Sequence, residues 1–426
     1  MPAEPDDVAP TLPDARRERT VLSTRGRCLL AAGIATAACA VPLAERDLLR
    51  VGAFAAVLPL LALLLALFTR RTVRARRTLS PHRLPVGAAA TVTLHVTGAA
   101  TTGPLELLDT APDAAGPAAP PRFMVPSSGT AVRYELHPVR RGVHRIGPLV
   151  AYGSDPLGLA EFARTVPGTE RMLVLPRTVP LRGVPHALGS SDGAHGAGAA
   201  GSGQGRSDVL VRPYRSGDEL RRVHWRSTAR HDELMVRLEE RPWRGGVTVL
   251  LDRRAGAHRG HGPGASLEWA VTFAASASVH LIDRGEPVEL VTEDGADAVS
   301  PGASSGADGV LDALATLRPS ARSGLDGPPL PGSGDILAVL GATAVDELPA
   351  LLTRCPGQGH AVLLDVGSWG SGSSPVFSAA GAAAPVAATA AALRAAGWAV
   401  TVATRRDRPE DVWDELVACP APQAGS

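Results

Sequence analysis

The chain begins with two uncharged, apolar runs that a short charged segment separates. The first run extends from Cys28 to Ala44, and the second extends from Val51 to Thr69. Each approaches the ~20 apolar residues that an α-helix needs to cross about 30 Å of hydrocarbon. The pattern predicts a transmembrane helical hairpin over residues 28–69, preceded by a disordered, basic tail at residues 1–27.

Arginine residues cluster at the outer ends of this predicted hairpin. The clusters are Arg16, Arg17, Arg19, Arg25 and Arg27 before the first run, and Arg70, Arg71, Arg74, Arg76 and Arg77 after the second. The link between the runs has balanced charge. Because positive segments stay in the cytoplasm, we expect a multi-pass protein of the cell membrane with its soluble domains in the cytoplasm. A secretory signal cleaved near Ala38-Cys39-Ala40 is the alternative, and it leaves the second run as a stop-transfer helix.

Residues 78–180 contain short runs in which apolar and polar positions alternate. Thr91–Val96 and Ala131–Leu136 show this period of two, and Pro and Gly interrupt the rest about every ten residues. The pattern is typical of antiparallel strands with one buried face, and it predicts a small β-sandwich. Asp155-Pro156-Leu157-Gly158 and Gly142 are expected at turns, where Gly accepts a positive φ.

The remainder of the chain divides by composition and periodicity. Residues 183–207 are rich in Gly, Ala and Ser, which predicts a flexible linker or loop. In residues 246–420 buried strands alternate with helical patterns, which predicts an α/β domain with a mostly parallel sheet. The predicted strands are Val247–Asp252, Val288–Thr292, Ile336–Leu340, Ala361–Asp365 and Ala399–Val402, and an amphipathic helix is predicted from Ser266 to Ile282.

The segment 208–245 contains a long pattern of charged and aromatic residues. The pattern residues are Arg212, Tyr214, Gly217, Asp218, Arg221, Trp225, Ala229 and Arg230. Asp218 is placed to cap a helix predicted over 219–230, and a strand is predicted from Leu234 to Glu239. Two interpretations of the arginines stay open. They form an ion-pair lattice with neighbouring acids, or they form a docking surface, since guanidinium groups suit carboxylate and phosphate.

Catalysis in this segment has little support from the sequence. His224 and Asp218 are the residues that could transfer a proton, but no nucleophile with an adjacent base and an orienting group accompanies them. We therefore predict no catalytic residue here, and we assign the pattern to partner binding or to structure.

The pattern resembles the hallmark of the family called domain of unknown function 58. The elements Arg141-Gly142-x-x-x-x-Gly147-Pro148 and Asp155-Pro156-x-Gly158-Leu159, together with the two-helix anchor, also resemble that family. The resemblance implies a membrane-anchored accessory protein of the kind grouped with MoxR-type AAA+ ATPases and transglutaminase-like proteins. The partner that it implies is a MoxR-type AAA+ ATPase.

The α/β block resembles a von Willebrand factor A-type domain. In such a domain the first strand normally ends in a metal-binding Asp-x-Ser-x-Ser, whereas this strand ends Asp252-Arg253-Arg254-Ala255-Gly256. A divalent ion needs several oxygen ligands, so Asp252 is a weak candidate for metal and is expected to form an ion pair with Arg254. His258 and His261 follow in a Gly-rich loop that we expect to be exposed.

Charge and composition narrow the function. The chain has 43 basic and 42 acidic residues, and the formal net charge of +1 argues against a nucleic-acid partner. Every basic residue is Arg, a composition that resembles actinobacterial, GC-rich coding. Without Lys there is no phosphate loop, so the chain does not resemble an ATPase and no cofactor is expected. The four scattered Cys predict neither a disulfide framework nor a zinc site.

These patterns predict a non-enzymatic scaffold or accessory protein that is anchored in the membrane, faces the cytoplasm, and works with a MoxR-type ATPase in protein assembly or maturation. The leading alternative is a metal-dependent binding module or an enzyme that uses the strand-end face near Asp252, the usual ligand position on open α/β sheets. A second alternative is nucleic-acid binding through the arginine cluster.

Overall fold

The computed structural model describes residues 19–97, 105–116, 121–125, 131–186, 188, 211–213, 235–237, 246–295, 297–299, 306–330, 335–355, 359–370 and 386–419. The chain divides into two compact units, Met1–Pro176 and Arg177–Ser426, which we call the N-terminal and C-terminal units. Each unit contains its own cluster of buried apolar side chains.

Two long helices, α1 (Thr24–Leu43) and α2 (Arg46–Thr72), pack against each other as a hairpin. Both are long and apolar enough to cross a membrane, and only 17% and 22% of their most apolar windows are buried within the protein. The exposed side chains include Phe54 and Phe68. A helix of a soluble core would bury such side chains, so this apolar surface indicates membrane association.

The two helices approach closely at a pair of glycines. A Cβ atom at Gly33 would lie 2.5 Å from the backbone nitrogen of Ala56, and a Cβ atom at Gly52 would lie 2.6 Å from that of Ala37. Apolar helices in lipid associate through such small residues because the backbones can then make dispersion contacts over a large area. The glycines therefore determine how the hairpin closes.

The strands of the N-terminal unit surround one apolar core. They are β1 (Arg19–Leu22), β2 (Arg74–Ser80), β3 (Arg83–Pro85), β4 (Ala90–Thr97), β5 (Leu105–Asp109), β6 (Arg122–Val125), β7 (Ala131–Leu136), β8 (Gly142–Ile146), β9 (Leu149–Ser154), β10 (Ala160–Val166) and β11 (Glu170–Leu175). Among the described residues they form sheets in the orders β1-β10-β9-β5-β6, β3-β11-β8 and β2-β4-β7. Their pairs are antiparallel except that of β3 with β11.

The alternating runs of the sequence coincide with two neighbouring strands, β4 and β7. In β4 the side chains of Val92, Leu94 and Val96 are buried, and those between them are exposed or half-buried. The turn at Gly158 also forms as expected, with a φ of +68°, and Gly142, the first residue of β8, has a φ of +130°. The local pattern of the N-terminal unit is therefore that of half-buried antiparallel strands.

Hydrogen bonds attach the helical hairpin to the β9–β10 turn. Ser23 caps α1, since its Oγ accepts the N–H of Gly26 at 3.1 Å and donates to the carbonyl of Gly158 at 2.7 Å. The backbone N–H of Ser23 donates to the carbonyl of Leu159 at 2.8 Å. At the end of α2 the guanidinium of Arg164, on β10, donates to a carbonyl of the last turn. Both helices are thus fixed to the same β-hairpin.

The C-terminal unit contains a helix-covered, mostly parallel sheet. The strands of this unit are β12 (Val211–Pro213) and β13 (Met235–Arg237), which among the described residues pair only with each other, and those of the main sheet, β14 (Val247–Leu251), β15 (Val288–Thr292), β16 (Asp297–Val299), β17 (Asp335–Leu340), β18 (Gly359–Leu364) and β19 (Ala399–Ala403). Its helices are α3 (Ser266–Asp283), α4 (Ala307–Thr316), α5 (Leu348–Arg354), α6 (Val386–Ala395) and α7 (Pro409–Ala418).

The order of the main sheet, within the described residues, is β16-β15-β14-β17-β18-β19. The edge strand β16 is antiparallel, and the other pairs are parallel. Every residue of β14, β15 and β18 is buried, because helices cover both faces of a parallel sheet. The α/β domain predicted from the sequence is confirmed, and the predicted helix coincides with α3.

We expect Gly33→Leu to separate the two helices, because the added side chain would displace the backbone of α2. Overpacking of this kind costs about 1–3 kcal/mol. The measurement is the fraction of detergent-solubilised protein that stays monodisperse in size-exclusion chromatography after heating. Ala35→Leu, on an exposed position of the same helix, is the matched control and should behave as the parent. Equal heat resistance of the two variants would contradict the packing described.

Candidate functional site

The carboxyl ends of β14 and β17, the central strands of the main sheet in the C-terminal unit, meet in a region that we call the crevice. The chain leaves β14 toward β15 on one side and later reaches β17 on the other side, so the direction of the connections reverses between β14 and β17. Ligands of open α/β sheets bind at such a point. Asp252 follows β14 directly, and Gly341 follows β17 directly.

Asp252 lies in this crevice with no exposed surface. Its Oδ1 accepts the backbone N–H and the Nε–H of Arg254, both at 3.0 Å. Its Oδ2 accepts the Nη2–H of Arg254 at 3.0 Å and the backbone N–H of Gly341 at 3.2 Å. The carboxylate is therefore fully hydrogen bonded, and the ion pair that the sequence predicts is present.

The guanidinium of Arg254 joins several segments around the crevice. Its Nη1 donates to the carbonyl of Ser323 at 2.9 Å and to Oε1 of Glu347 at 3.1 Å. Its Nη2 donates to the carbonyl of Ala342 and to Oγ1 of Thr343, both at 3.3 Å. Burial alone would lower the pKa of Arg254, but the hydrogen bonds and charges of Asp252 and Glu347 raise it. The cation is therefore permanent, and it occupies the space beside the only oxygens that Asp252 could offer.

A second group of charges, formed by Arg253, Glu293 and Asp294, lies where β14 and β15 end. Nη2 of Arg253 donates to Asp294 at 2.7 Å, and the backbone N–H of Arg253 donates to Oε2 of Glu293 at 3.3 Å. Glu293 is fully buried, and its Oε1 has no hydrogen-bond partner in the described part of the chain. Within the same residues no three His, Cys, Asp or Glu side chains come together as a metal site.

His258 and Ser266 form a contact that resembles a base and its nucleophile. The Nε2 of His258 lies 2.8 Å from the carbonyl of Asp252, which can only accept, so Nδ1 accepts from the hydroxyl of Ser266 at 3.1 Å. Ser266 has no exposed surface, and its Oγ also accepts the N–H of Arg259 at 2.9 Å. A nucleophile needs access to substrate, so this pair holds the loop before α3 in place.

The expectation that His258 lies in an exposed loop was wrong. Its ring is partly buried and both ring nitrogens are hydrogen bonded. Burial lowers the pKa of His258, which keeps the ring neutral and able to accept from Ser266. His261, three residues further on, is exposed as expected.

A cavity of about 240 Å³ lies at the ends of β17 and β18. The polar side chains that line it already have partners in the protein. The Oδ1 of Asp365 accepts the N–H of Gly367 at 3.2 Å, and Oγ1 of Thr389 donates to the carbonyl of Thr343 at 2.7 Å. The cavity is therefore a small polar recess in which Asp365 and Thr389 are already engaged in hydrogen bonds within the protein.

The N-terminal unit also contains a buried charged group, Arg77–Asp109–Tyr134. Asp109 has no exposed surface, and it accepts from Nε of Arg77 at 3.2 Å and from the hydroxyl of Tyr134 at 2.6 Å. Nη1 of Arg77 also donates to the carbonyl of Gly168 at 2.8 Å. Burial and the carboxylate of Asp109 raise the pKa of Tyr134, so its hydroxyl stays a donor. The group connects β2, β5 and β7, which is a structural role.

The structure places little of the arginine-rich pattern. Arg212 lies on β12, opposite Val236 of β13. Tyr214, Gly217, Asp218, Arg221, Trp225, Ala229 and Arg230 lie outside the described residues, as does the helix predicted over 219–230. Pro213 of β12 pairs antiparallel with Met235 of β13. The predicted strand from Leu234 is present in part as β13.

Sequence reasoning missed the contribution of Glu347 and Thr343 to the crevice. Glu347 is separated from Arg254 by 93 positions, and no local pattern joins them. The one sequence signal was that Glu347, an acidic residue, directly precedes the helical pattern of α5. In the structure Oε2 of Glu347 accepts the N–H of Ala344 at 3.2 Å. Such an acid is explained by helix initiation alone.

The model of a family described as "Protein of unknown function DUF58" matches residues 210–339. This match supports the family resemblance predicted from the arginine-rich pattern. No curated protein matches the chain.

Two solved structures are similar to parts of the chain. One is the Pseudomonas fluorescens alkylpurine DNA glycosylase AlkC bound to DNA containing an abasic site analog, at 12% identity and a TM-score of 0.17, over 35% of this chain and 45% of that one. The other is the CARDB domain of a Pyrococcus furiosus protein in complex with di-metal ions, at 15% identity and a TM-score of 0.14, over 22% and 90%. The chain thus spans less than half of the glycosylase, and neither likeness bears on function.

We expect Arg254→Leu to lower the free energy of unfolding of the C-terminal unit by about 3–5 kcal/mol, because Asp252 would be left buried and unpaired. All six Trp lie in this unit, so urea denaturation followed by tryptophan fluorescence reports on it. The double variant Asp252→Asn/Arg254→Leu should recover part of the loss. Arg406→Leu removes an exposed arginine and should change stability by less than about 0.5 kcal/mol. Equal stability of the two single variants would contradict the assignment.

Proposed function

We propose that the protein is a DUF58-family scaffold or accessory protein that is anchored in the membrane, faces the cytoplasm, and works with a MoxR-type AAA+ ATPase in protein assembly or maturation. The family match over residues 210–339 and the two exposed apolar helices support this proposal. We further propose that the strands of the N-terminal unit form a β-sandwich and that the C-terminal unit is von Willebrand A-like. The strand order with an antiparallel edge at β16 supports the second assignment.

The observation that carries the non-enzymatic role is the state of Asp252. Both of its carboxylate oxygens are bonded to Arg254 and to backbone N–H groups. A metal-binding or catalytic carboxylate at the end of β14 would need at least one oxygen directed toward a ligand. The strand-end face is where proteins of this architecture commonly bind ligands or substrates. In this protein the polar side chains of that face are bonded to one another, which suits a rigid binding module.

The docking element in this proposal is the arginine-rich segment. Strands β12 and β13, which flank this segment along the chain, pair antiparallel. Its arginines suit an acidic surface on the partner.

The rival function is a metal-dependent module or an enzyme at the strand-end face. The cavity of about 240 Å³ and the unpartnered Oε1 of Glu293, as seen among the described residues, favour it. Against it stands the permanent cation of Arg254 beside Asp252, since a divalent ion at this point would meet a like charge.

The partner prediction is tested by affinity capture of the full-length tagged protein from membranes of its source cells. A MoxR-type ATPase should be enriched. Arg221→Glu/Arg230→Glu, which reverses two charges of the pattern, should reduce its recovery on the order of tenfold. The matched control is Arg259→Glu/Arg406→Glu, which reverses two exposed arginines outside the pattern and should leave recovery unchanged.

Two outcomes would contradict this proposal. The first is recovery of no ATPase with the parent protein, and the second is equal recovery with both double variants. The orientation is checked in the same cells, where protease added outside should leave both units intact. Digestion of these units from outside would place them on the wrong side for a cytoplasmic ATPase.

The metal prediction is tested by calorimetric titration of the full-length protein in detergent with Mg²⁺. We expect no saturable heat, because Arg254 occupies the oxygens of Asp252. The rival function predicts a saturable heat that disappears in Asp252→Asn. Tryptophan fluorescence of that variant verifies that the C-terminal unit is folded, so that a lost signal is not the result of unfolding.

A further inference from the structure

The inner end of the helical hairpin carries an excess of exposed positive charge. By the inner end of the hairpin we mean the surface formed by Arg25, Arg27, Arg71 and Arg74, all of which are exposed. No ion pair within the described part of the chain engages any of them. On the adjoining strands β1 and β10 the acidic residue is Glu161, opposite Val21. Among the residues that the structure describes, the guanidinium groups of this surface thus have no counterion in an ion pair.

The outer end of the same hairpin is different. The link between the helices has two acidic and two basic residues. Arg50 donates to Asp47 at 2.8 Å and is neutralised by it. The two ends of one hairpin therefore differ in net charge, although both would lie at a membrane surface.

The inner end is also held at a defined depth. Arg25 and Arg27 lie within one turn of Cys28, where the apolar run begins, so their backbones lie within about 5 Å of the hydrocarbon at 1.5 Å per residue. The headgroup layer adds about 5–8 Å on each side of a bilayer. The bonds from Ser23 to Gly158 and Leu159 place the β9–β10 turn in this same layer.

The turn itself presents an apolar tip beside the positive charge. Leu157 is 58% exposed. A side chain built at Gly158 would meet the guanidinium of Arg25 at 4.0 Å. The turn is rigid, because Asp155 accepts the N–H of Leu157 at 2.8 Å. An apolar tip flanked by guanidinium groups matches the boundary between acyl chains and phosphate groups.

We propose that the inner end of the hairpin and the β9–β10 turn together bind the headgroups of anionic phospholipids. Arg25, Arg27 and Arg71 contact the phosphates, and Leu157 contacts the part of the acyl chains that lies next to the headgroups. This inference rests on the proposed membrane anchoring. It adds a lipid preference, since each arginine near an anionic surface contributes about fivefold to binding.

The test uses the full-length protein in neutral detergent and native mass spectrometry with phosphatidylglycerol and phosphatidylcholine. We expect phosphatidylglycerol to be retained preferentially. Arg25→Gln/Arg71→Gln should weaken its retention by about 25-fold, the product of two fivefold effects. The matched control, Arg46→Gln/Arg50→Gln, removes two positive charges from the outer end and should keep the preference. Leu157→Ser should weaken retention of both lipids alike.

Three results would overturn the proposal. They are equal retention of the two lipids by the parent protein, equal losses in the two double variants, and full displacement of phosphatidylglycerol by inorganic phosphate, which would indicate a site for free anions. Extraction of cell membranes at alkaline pH separates this proposal from the anchoring. Protein that resists extraction but shows no lipid preference overturns the lipid site alone, whereas protein that is extracted overturns the anchoring.

Discussion

Both units depend on an aspartate that the fold buries completely and on the arginine that neutralises it. Asp109 with Arg77 connects three strands of the N-terminal unit, and Asp252 with Arg254 joins the ends of two central strands in the C-terminal unit. A buried carboxylate without a partner costs several kcal/mol, so each pair restricts how the surrounding segments can pack. Because the chain has no Lys, these cations are guanidinium groups, whose planar fork holds both carboxylate oxygens at once.

The local parts of the fold could be predicted because each depends on short-range pattern. The alternation in β4 and β7 predicts half-buried strands, and the apolar spacing from Ser266 predicts α3. The ion pair of Asp252 with Arg254 was accessible for the same reason, since two positions separate the partners. The order of strands in the sheets could not be predicted from sequence, because pairing between distant segments follows from how helices and sheets cover one another.

The candidate site shows the same limit in side-chain terms. Glu347 reaches Arg254 only because α5 begins beside the end of β17, which no local pattern specifies. His258 was expected in an exposed loop, but the loop returns to β14 and its Nε2 meets the carbonyl of Asp252. The arginine-rich pattern is the reverse case. Its residues lie within the part of the chain that the DUF58 family model matches, whereas the described structure includes only Arg212 and its strand.

The difference in length between the two helices has a consequence for where the protein can reside. α1 has 20 residues, which corresponds to about 30 Å, and α2 has 27, which corresponds to about 40 Å. In a hairpin that crosses the bilayer, the shorter helix only just spans it, and its inner end is fixed by Ser23. Cellular membranes differ in thickness by a few ångströms, and mismatch sorts proteins among them. A helix of 20 residues matches a hydrocarbon core of about 30 Å, and it would be too short for the core of a sterol-thickened bilayer.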